Sequence, residues 1–369
     1  MLIQTTVSCP VKESFRVQQV RGMFDLPAGL GATERFSVEV PAGQDPWNIG
    51  LIVGPSGSGK TSIARRAFGE AMVHNSLPWP AEAAIIDGFG KADIRTITQA
   101  LSAVGLNSPP AWLRPYHVLS NGEKFRADLA RLLLSPDNNI AVMDEFTSVV
   151  DRTVAQVGSA AVARAIRSGA FKKRFVAVSC HYDIAQWLCP DWIVDMATQT
   201  LARGCLQRPP LSVEIRRCER KLWRSFARHH YLSSKLPGGA YYCGLLNGTP
   251  IAFAGITQVT GFTGYKRFSR IVVLPDYQGL GVGGKFRNAV AEIAARQPGC
   301  QRLSLITSHP AMIRSCQADG QWKLRAVSYS NGAAGLKQRG IDDPAGHARR
   351  ICSFTYVGTE NQLFQHRLI

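Results

Sequence analysis

The sequence predicts an α/β chain of two domains, residues 1–207 and 208–369, and three observations carry that prediction. An apolar run near residue 50 enters a glycine-rich loop and then a helical stretch. A second strand, glycine loop and helix recur near residue 278. Between them, Arg208-Pro209-Pro210 forms a stiff break that separates a half of nearly balanced charge from a strongly basic one. A length of 369 residues also suits two cores of about 100–200 residues better than one.

Composition narrows the class. With 45% hydrophobic and 19% charged residues the chain reads as globular. No apolar run reaches the roughly 20 residues of a membrane span. The start MLIQTTVSCPVKESF lacks the basic, apolar and small-residue regions of a signal peptide, so a cytoplasmic protein is expected. Nine cysteines scattered from Cys9 to Cys352, with no C-x-x-C pair, argue against a disulfide framework or a zinc ribbon. Reduced, buried thiols are expected instead. The first half holds 20 Lys and Arg against 18 Asp and Glu, a net +2; the second holds 23 against 8, a net +15. Such asymmetry points to a polyanionic partner, with nucleic acid first and DNA favoured over RNA, because Lys and Arg displace counterions condensed on phosphates. A merely solubilising basic surface is the competing reading.

In the first half, Trp47 to Val53 predicts a buried strand. It leads into Gly54, Pro55, Ser56, Gly57, Ser58, Gly59, Lys60, Thr61 and Ser62, a full match to G-x-x-x-x-G-K-[ST]. Glycines let backbone N–H groups close around phosphates, the following helix aims its positive end at them, Lys60 reaches the β and γ oxygens, and Thr61 ligates Mg²⁺. A loop of this kind serves kinases, GTPases and ATPases alike, so the motifs that follow have to choose among them. Four further motifs follow in order. Leu119-Ser120-Asn121-Gly122-Glu123 opens an amphipathic helix with Phe125, Leu129 and Leu132-Leu133 on one face. The strand Ile140 to Met143 ends in Asp144-Glu145, Asp151 comes shortly after, and the strand Phe175 to Ser179 stops before His181.

This ordered set resembles the ABC ATPase family over roughly residues 15–205. The resemblance implies that Asp144 holds Mg²⁺ through water, that Glu145 polarises the attacking water, and that His181 contacts the γ-phosphate. Ser120, Gly122 and Asp151 would serve the nucleotide shared with a second copy, which implies an ATP-dependent homodimer. Two departures stand beside it. Ser120 follows Lys60 by only 60 positions, so the insert is small, and the signature reads LSNGE. After an expected strand at Ala83 to Ile86 the chain has Asp87-Gly88-Phe89 where the family places a glutamine. A soluble ATPase acting on nucleic acid fits better than a transporter subunit.

In the second half, Leu211 to Ile215 reads as a strand and Glu219 to Tyr231 as a helix that stacks Arg220, Arg224 and Arg228 on one face, a candidate nucleic-acid stripe. Strands at Gly239 to Leu246 and Pro250 to Thr257 join through Asn247-Gly248, a turn pair suited to type I′. Phe268 to Leu274 then delivers Gln278, Gly279, Leu280, Gly281, Val282, Gly283 and Gly284, followed by a helix and the strand Arg302 to Thr307. Strand, Gln-x-x-Gly-x-Gly and helix resemble the GNAT acyltransferases, which implies a GNAT-like α+β domain whose loop cradles the pyrophosphate of acetyl-CoA or another acyl-CoA. The whole chain resembles ABC-type ATPases fused to a predicted acetyltransferase domain. Phe226 to Ser233, Leu236-Pro237, the Gln278 loop and the strand Arg350 to Tyr356 are similar to the Mom family of phage DNA-modification proteins, which act on adenine N6. A register from His309 puts Cys316 where many GNAT enzymes carry a tyrosine acid. The proton-transfer residues therefore stay open among His229, His230 and His309, with Tyr231, Tyr277 and Ser308 as donors and the adjacent His229–His230 pair preferred.

Three functions follow from this reading. The first is an ATPase coupled to N-acylation of a nucleobase amine. The second is a repair or chromosome-associated ATPase with a non-catalytic GNAT-like domain. The third is a protein or small-molecule N-acetyltransferase with a regulatory ATPase.

Overall fold

The computed structural model describes residues 1–9, 11–24, 32–41, 45–69, 73–74, 77–136, 139–204, 212–230, 235–329 and 350–358. The Pro209-Pro210 break, Leu211 and Tyr231 lie outside them. The chain divides into two compact units, and neither is continuous in sequence. One comprises residues 1–79 and 120–209, the other residues 80–119 and 210–369.

The first unit begins with β1 (Leu2–Cys9), α1 (Phe15–Phe24) and β2 (Ala32–Glu39), the two strands forming an antiparallel ribbon. Next come β3 (Ile49–Val53), α2 (Lys60–Phe68) and the two-residue β4 (Val73–His74). The chain then leaves this unit and forms α3 (Ile94–Ala103) and α4 (Pro109–Trp112) in the other. It returns with α5 (Asn121–Leu134), β5 (Ile140–Met143), α6 (Arg152–Arg167), β6 (Arg174–Ser179), α7 (Ala185–Leu188), β7 (Trp192–Asp195) and β8 (Thr200–Arg203).

The main sheet of this unit runs β4-β5-β6-β3-β7-β8, parallel except for β8. Parallel strands covered on both faces read as unbroken apolar runs, and all five residues of β3 are buried. Ile52, Val142, Val176, Val178 and Val194 pack with Ile63 and Phe68 of α2 into its core. Because β5, β6 and β3 are parallel neighbours, the loops after them emerge at one edge.

The second unit adds β9 (Glu214–Arg217), α8 (Trp223–Phe226), β10 (Ala240–Leu246), β11 (Thr249–Gln258), β12 (Tyr265–Val273), α9 (Val282–Ala295), β13 (Arg302–Thr307), α10 (Pro310–Gln317), β14 (Trp322–Tyr329) and β15 (Arg350–Tyr356). Its seven-stranded sheet has the order β14-β15-β13-β12-β11-β10-β9. Successive residues point to opposite faces. Thus Tyr242, Ala252 and Ala254 join Phe286 and Val290 of α9, whereas Tyr241 and Phe253 join Trp223 and Phe226 on the other side. Asn247 and Gly248 both have positive φ, 50° and 80°, as the expected type I′ turn requires.

Two local expectations are corrected. Residues 83–86 do not form a strand: Ile85–Phe89 is a 3-10 turn, and only an isolated bridge joins Ala84 to Pro115. The helix expected from Glu219 is broken into a 3-10 turn (Arg220–Leu222), four residues of α8 and a second 3-10 turn (Ala227–His229). The buried anchors Trp223 and Phe226 are only three residues apart, and their docking on Phe253 decides the local path.

Candidate functional site

In the first unit, β3 passes through Gly54–Gly59 into α2, whose N-terminal cap is Gly59 at φ 79°. A Cβ there would lie 2.6 Å from the Phe36 ring. The free N–H groups of the first turn of α2 thus face the loop, as an anion cradle needs. Lys60 is buried and its Nζ donates to the Pro55 carbonyl at 2.6 Å; Ser58 Oγ donates to the same oxygen at 2.9 Å. Thr61 follows in the first turn of α2, beside Ser62.

At the end of β5, Asp144 is buried and its Oδ1 accepts from the Glu145 N–H at 3.0 Å. Glu145 and Thr147 take φ values of 51° and 70°, a left-handed path that non-glycine residues rarely adopt. Ser148 Oγ donates to Glu145 Oε2 at 2.5 Å, and Thr147 Oγ1 lies 3.3 Å from His181 Nδ1. His181 is held below its ordinary value, by burial first and then by Arg152, with Asp183 and Glu145 opposing. The structure therefore gathers Asp144, Glu145 and His181 at the ends of β5 and β6, beside the strand that carries the Lys60 loop.

Ser120 and Gly122 serve α5. Ser120 caps it through a reciprocal pair with Glu123: Ser120 Oγ accepts from the Glu123 N–H at 3.3 Å, and Glu123 Oε2 accepts from the Ser120 N–H at 2.9 Å. Glu123 thus has a structural role at the start of α5. Asp151 caps α6 by accepting from the Val154 N–H at 3.0 Å.

In the second unit, the parallel strands β12 and β13 pair only where Tyr265–Arg267 meets Arg302–Ser304. Beyond that, β12 continues to Val273 beside β11 and β13 to Thr307 beside β15, so the two diverge into a wedge. β12 also bulges against β11: Gly255 faces Arg270 and Ile256 faces Phe268, which leaves Ser269 without a pairing partner. Ser269 Oγ is buried and makes no hydrogen bond among the described residues. Sequence reasoning missed this hydroxyl, since a bulge is set by pairing between strands and leaves no local signal.

After β12, the 3-10 turn Pro275–Tyr277 leads to Gln278 and the glycine loop. Gly279 and Gly281 have φ of 92° and 79°, and Gly281 caps α9, so the first N–H groups of that helix point at the loop. Leu280 and Tyr277 pack against the core, as Val282 does at the start of α9. Gly283 and Gly284 follow in its first turn; a Cβ at Gly284 would come 3.4 Å from Ser315 Oγ.

The proton-transfer candidates separate clearly. His229 Nε2 accepts from Arg228 Nε at 3.1 Å, which puts its own proton on Nδ1. His230 packs edge-on against Trp223, with ring centroids 5.9 Å apart. His309 is largely buried, and its Nε2 donates to the Asn107 carbonyl at 3.0 Å. Cys316 lies fully inside the core, where Arg287 NH1 donates to its Sγ at 3.1 Å and burial pushes the thiol up to about 11. That position faces the core, so it offers no substitute for a tyrosine acid. The arginines Arg220, Arg224 and Arg228 are all exposed, and Arg220 Nη2 donates to the Leu236 carbonyl at 2.7 Å. Among the described residues no group of three His, Cys, Asp or Glu is placed to hold a metal, and no helix is long and apolar enough to cross a membrane.

Residues 206–317 match the acetyltransferase (GNAT) family model. No curated protein matches the chain. Among solved structures, the chain is similar to a Bacillus subtilis acetyltransferase in complex with CoA (14% identity, TM-score 0.31, 40% of this chain and 98% of that one). It is also similar to the ribosomal-protein-S18-alanine N-acetyltransferase from Escherichia coli (16% identity, TM-score 0.31, 41% and 97%). A bacterial Atm1-family ABC exporter with ATP bound aligns at 18% identity and a TM-score of 0.34 over 48% of this chain, which spans only 35% of the exporter. Residues 206–317 thus carry a GNAT acetyltransferase domain, by the family match.

Proposed function

We propose that the second unit is an acyl-CoA-dependent N-acyltransferase acting on a nucleobase amine, DNA before RNA, and that the first unit is an ABC-type ATPase serving it. The wedge between β12 and β13, together with the Gln278–Gly284 loop that follows β12 into α9, carries the reading. The loop fits an acyl-CoA: left-handed glycines and a helix N-terminus offer N–H groups to a pyrophosphate, and the divergent strands leave room for an extended arm. When bound, the acyl-CoA supplies an activated thioester. Backbone N–H groups on the inner edge of β12 can receive charge developing on the acyl oxygen. His230 would take the proton of the acceptor amine, since His229 Nε2 already accepts from Arg228 Nε; the amine forms the new C–N bond as the C–S bond breaks, and the proton passes to the departing thiolate.

In the first unit the donor set fits Mg²⁺ and ATP. Thr61 and Asp144 would hold the ion, which supplies positive charge to the β and γ oxygens. Lys60, which here donates to the Pro55 carbonyl, would reach the phosphates, Glu145 would orient water, and His181 would donate to the γ-phosphate. Ser120, Gly122 and Asp151 complete the site of a second copy, so the working form is an ATP-dependent homodimer. The +15 charge of residues 208–369 supports a nucleic-acid acceptor.

The test is incubation of the full chain with labelled acetyl-CoA, ATP, Mg²⁺ and DNA or RNA, followed by mass spectrometry of the nucleosides. A labelled nucleoside is expected. Label found only on protein or small amines would move the acceptor to the third reading.

A further inference from the structure

Residues 80–119 lie between the Lys60 loop and Ser120 in sequence, yet they belong to the second unit. Their turn Gly105–Asn107 rests on the start of the glycine loop. The Asn107 N–H donates to Gln278 Oε1 at 3.0 Å, and Gln278 Nε2 donates to the Val273 carbonyl at 2.8 Å. On its other side, the Asn107 carbonyl accepts from His309 Nε2 at 3.0 Å. The bonds His309–Asn107–Gln278–Val273 therefore tie the N-terminal cap of α10 to the end of β12 through the turn. Trp112 braces it: its Nε1 donates to the Leu106 carbonyl at 2.8 Å, and its ring lies 6.3 Å from that of His309. Gly105 has φ 91°, and a Cβ there would stand 2.5 Å from the Gln278 carbonyl oxygen, so the approach requires glycine twice over.

Both ends of the Gln278 carboxamide are thus engaged by protein, where the sequence motif assigns Gln278 to the donor. We infer that the Gly105–Asn107 turn is part of the donor site and that Gln278 is a positioning residue: the turn holds the carboxamide, the carboxamide holds the loop, and the loop's backbone N–H groups meet the pyrophosphate. The inference rests on the acyl-CoA reading of that loop. Its consequence is that residues 208–369 do not contain the whole donor site, because the turn enters from the segment that joins the Lys60 loop to the signature helix.

The experiment uses the full chain and two readouts, hydrogen exchange of residues 278–284 without ligand and calorimetric binding of CoA. Gly105→Ala puts a methyl group against the Gln278 carbonyl. Gln278→Met keeps length and loses both side-chain bonds, whereas Gln278→Glu keeps the acceptor for Asn107 and loses the donor to Val273. Faster exchange in Gly105→Ala and Gln278→Met is expected, with CoA binding weakened about tenfold, as two neutral hydrogen bonds imply, and part of the exchange effect recovered in Gln278→Glu, which keeps the Asn107 bond. The donor KM should rise with kcat nearly unchanged. Unaltered exchange in all three variants overturns the inference, and so does a Gln278→Met chain that loses CoA while its loop exchanges as in the wild type, since Gln278 would then touch the donor itself. A wild-type chain that binds no CoA refutes the acyl-CoA reading instead, and the exchange data still decide whether the turn positions the loop.

Discussion

Gly281→Val probes the second glycine loop most directly. Gly281 sits at φ 79° and caps α9. A β-branched residue is strained there, at a cost of roughly 1–2 kcal/mol or more for a left-handed L-residue. The helix can relieve that strain by shifting its first turn, which moves the N–H groups of Val282, Gly283 and Gly284 that lack intrahelical acceptors. A hydrogen bond from such a group to a charged phosphate contributes about 1.5–3 kcal/mol, so losing two of them costs about 3–6 kcal/mol. CoA affinity should then fall by about two to four orders of magnitude. Isothermal titration calorimetry with CoA measures this, with ATP hydrolysis by the same preparation as the control for an intact first unit. Unchanged CoA affinity in a folded Gly281→Val chain would refute the reasoning. A parallel loss of ATPase activity would show that the change was not confined to the loop.

Three other outcomes are expected. Glu145→Gln should bind ATP and hydrolyse it slowly, and so accumulate dimer; light scattering that finds only monomer with ATP and Mg²⁺ contradicts the shared site. Binding of DNA should weaken with salt by about 0.9 log units per log of salt for each phosphate contact, and replacing the exposed Arg224 and Arg228 should flatten the slope in a fluorescence titration. His309 is held below its ordinary 6.5 by burial first, with Arg314 acting the same way and the Asn107 carbonyl opposing. The folded chain therefore binds this proton less tightly than the unfolded one, so the contribution of His309 to stability is full above 6.5 and is lost as pH falls through the folded value. Melting temperatures should fall less between pH 7 and 5 in His309→Gln than in the wild type, and equal slopes would remove His309 as the cause.

Much of the architecture was legible because it is encoded locally. The apolar strand Ile140–Met143 and the strands Arg302–Thr307 and Arg350–Tyr356 stand where the sequence reading put them, and Asn247-Gly248 makes its turn. Phe125, Leu129, Leu132 and Leu133 are buried along α5 as their spacing requires. The helix expected at Glu219 failed because periodicity registers an apolar face but not the aromatic docking that divides the segment into short turns. Cys316 lines up with a proton donor by register, yet the structure turns it into the core beside Arg287.

The sequence by itself determined the two glycine loops, since a glycine at a left-handed position, a helix N-terminus and a strand before them are properties of about a dozen consecutive residues. It determined the charge of each half for the same reason. Only the tertiary structure decided that residues 80–119 fold with the second unit, that Asn107 holds Gln278, and that Ser269 stands unpaired in its strand. These depend on contacts between residues as far apart as Asn107 and Gln278. Such contacts form when apolar faces from distant segments are buried together, and no periodicity or spacing along the chain records which faces will meet.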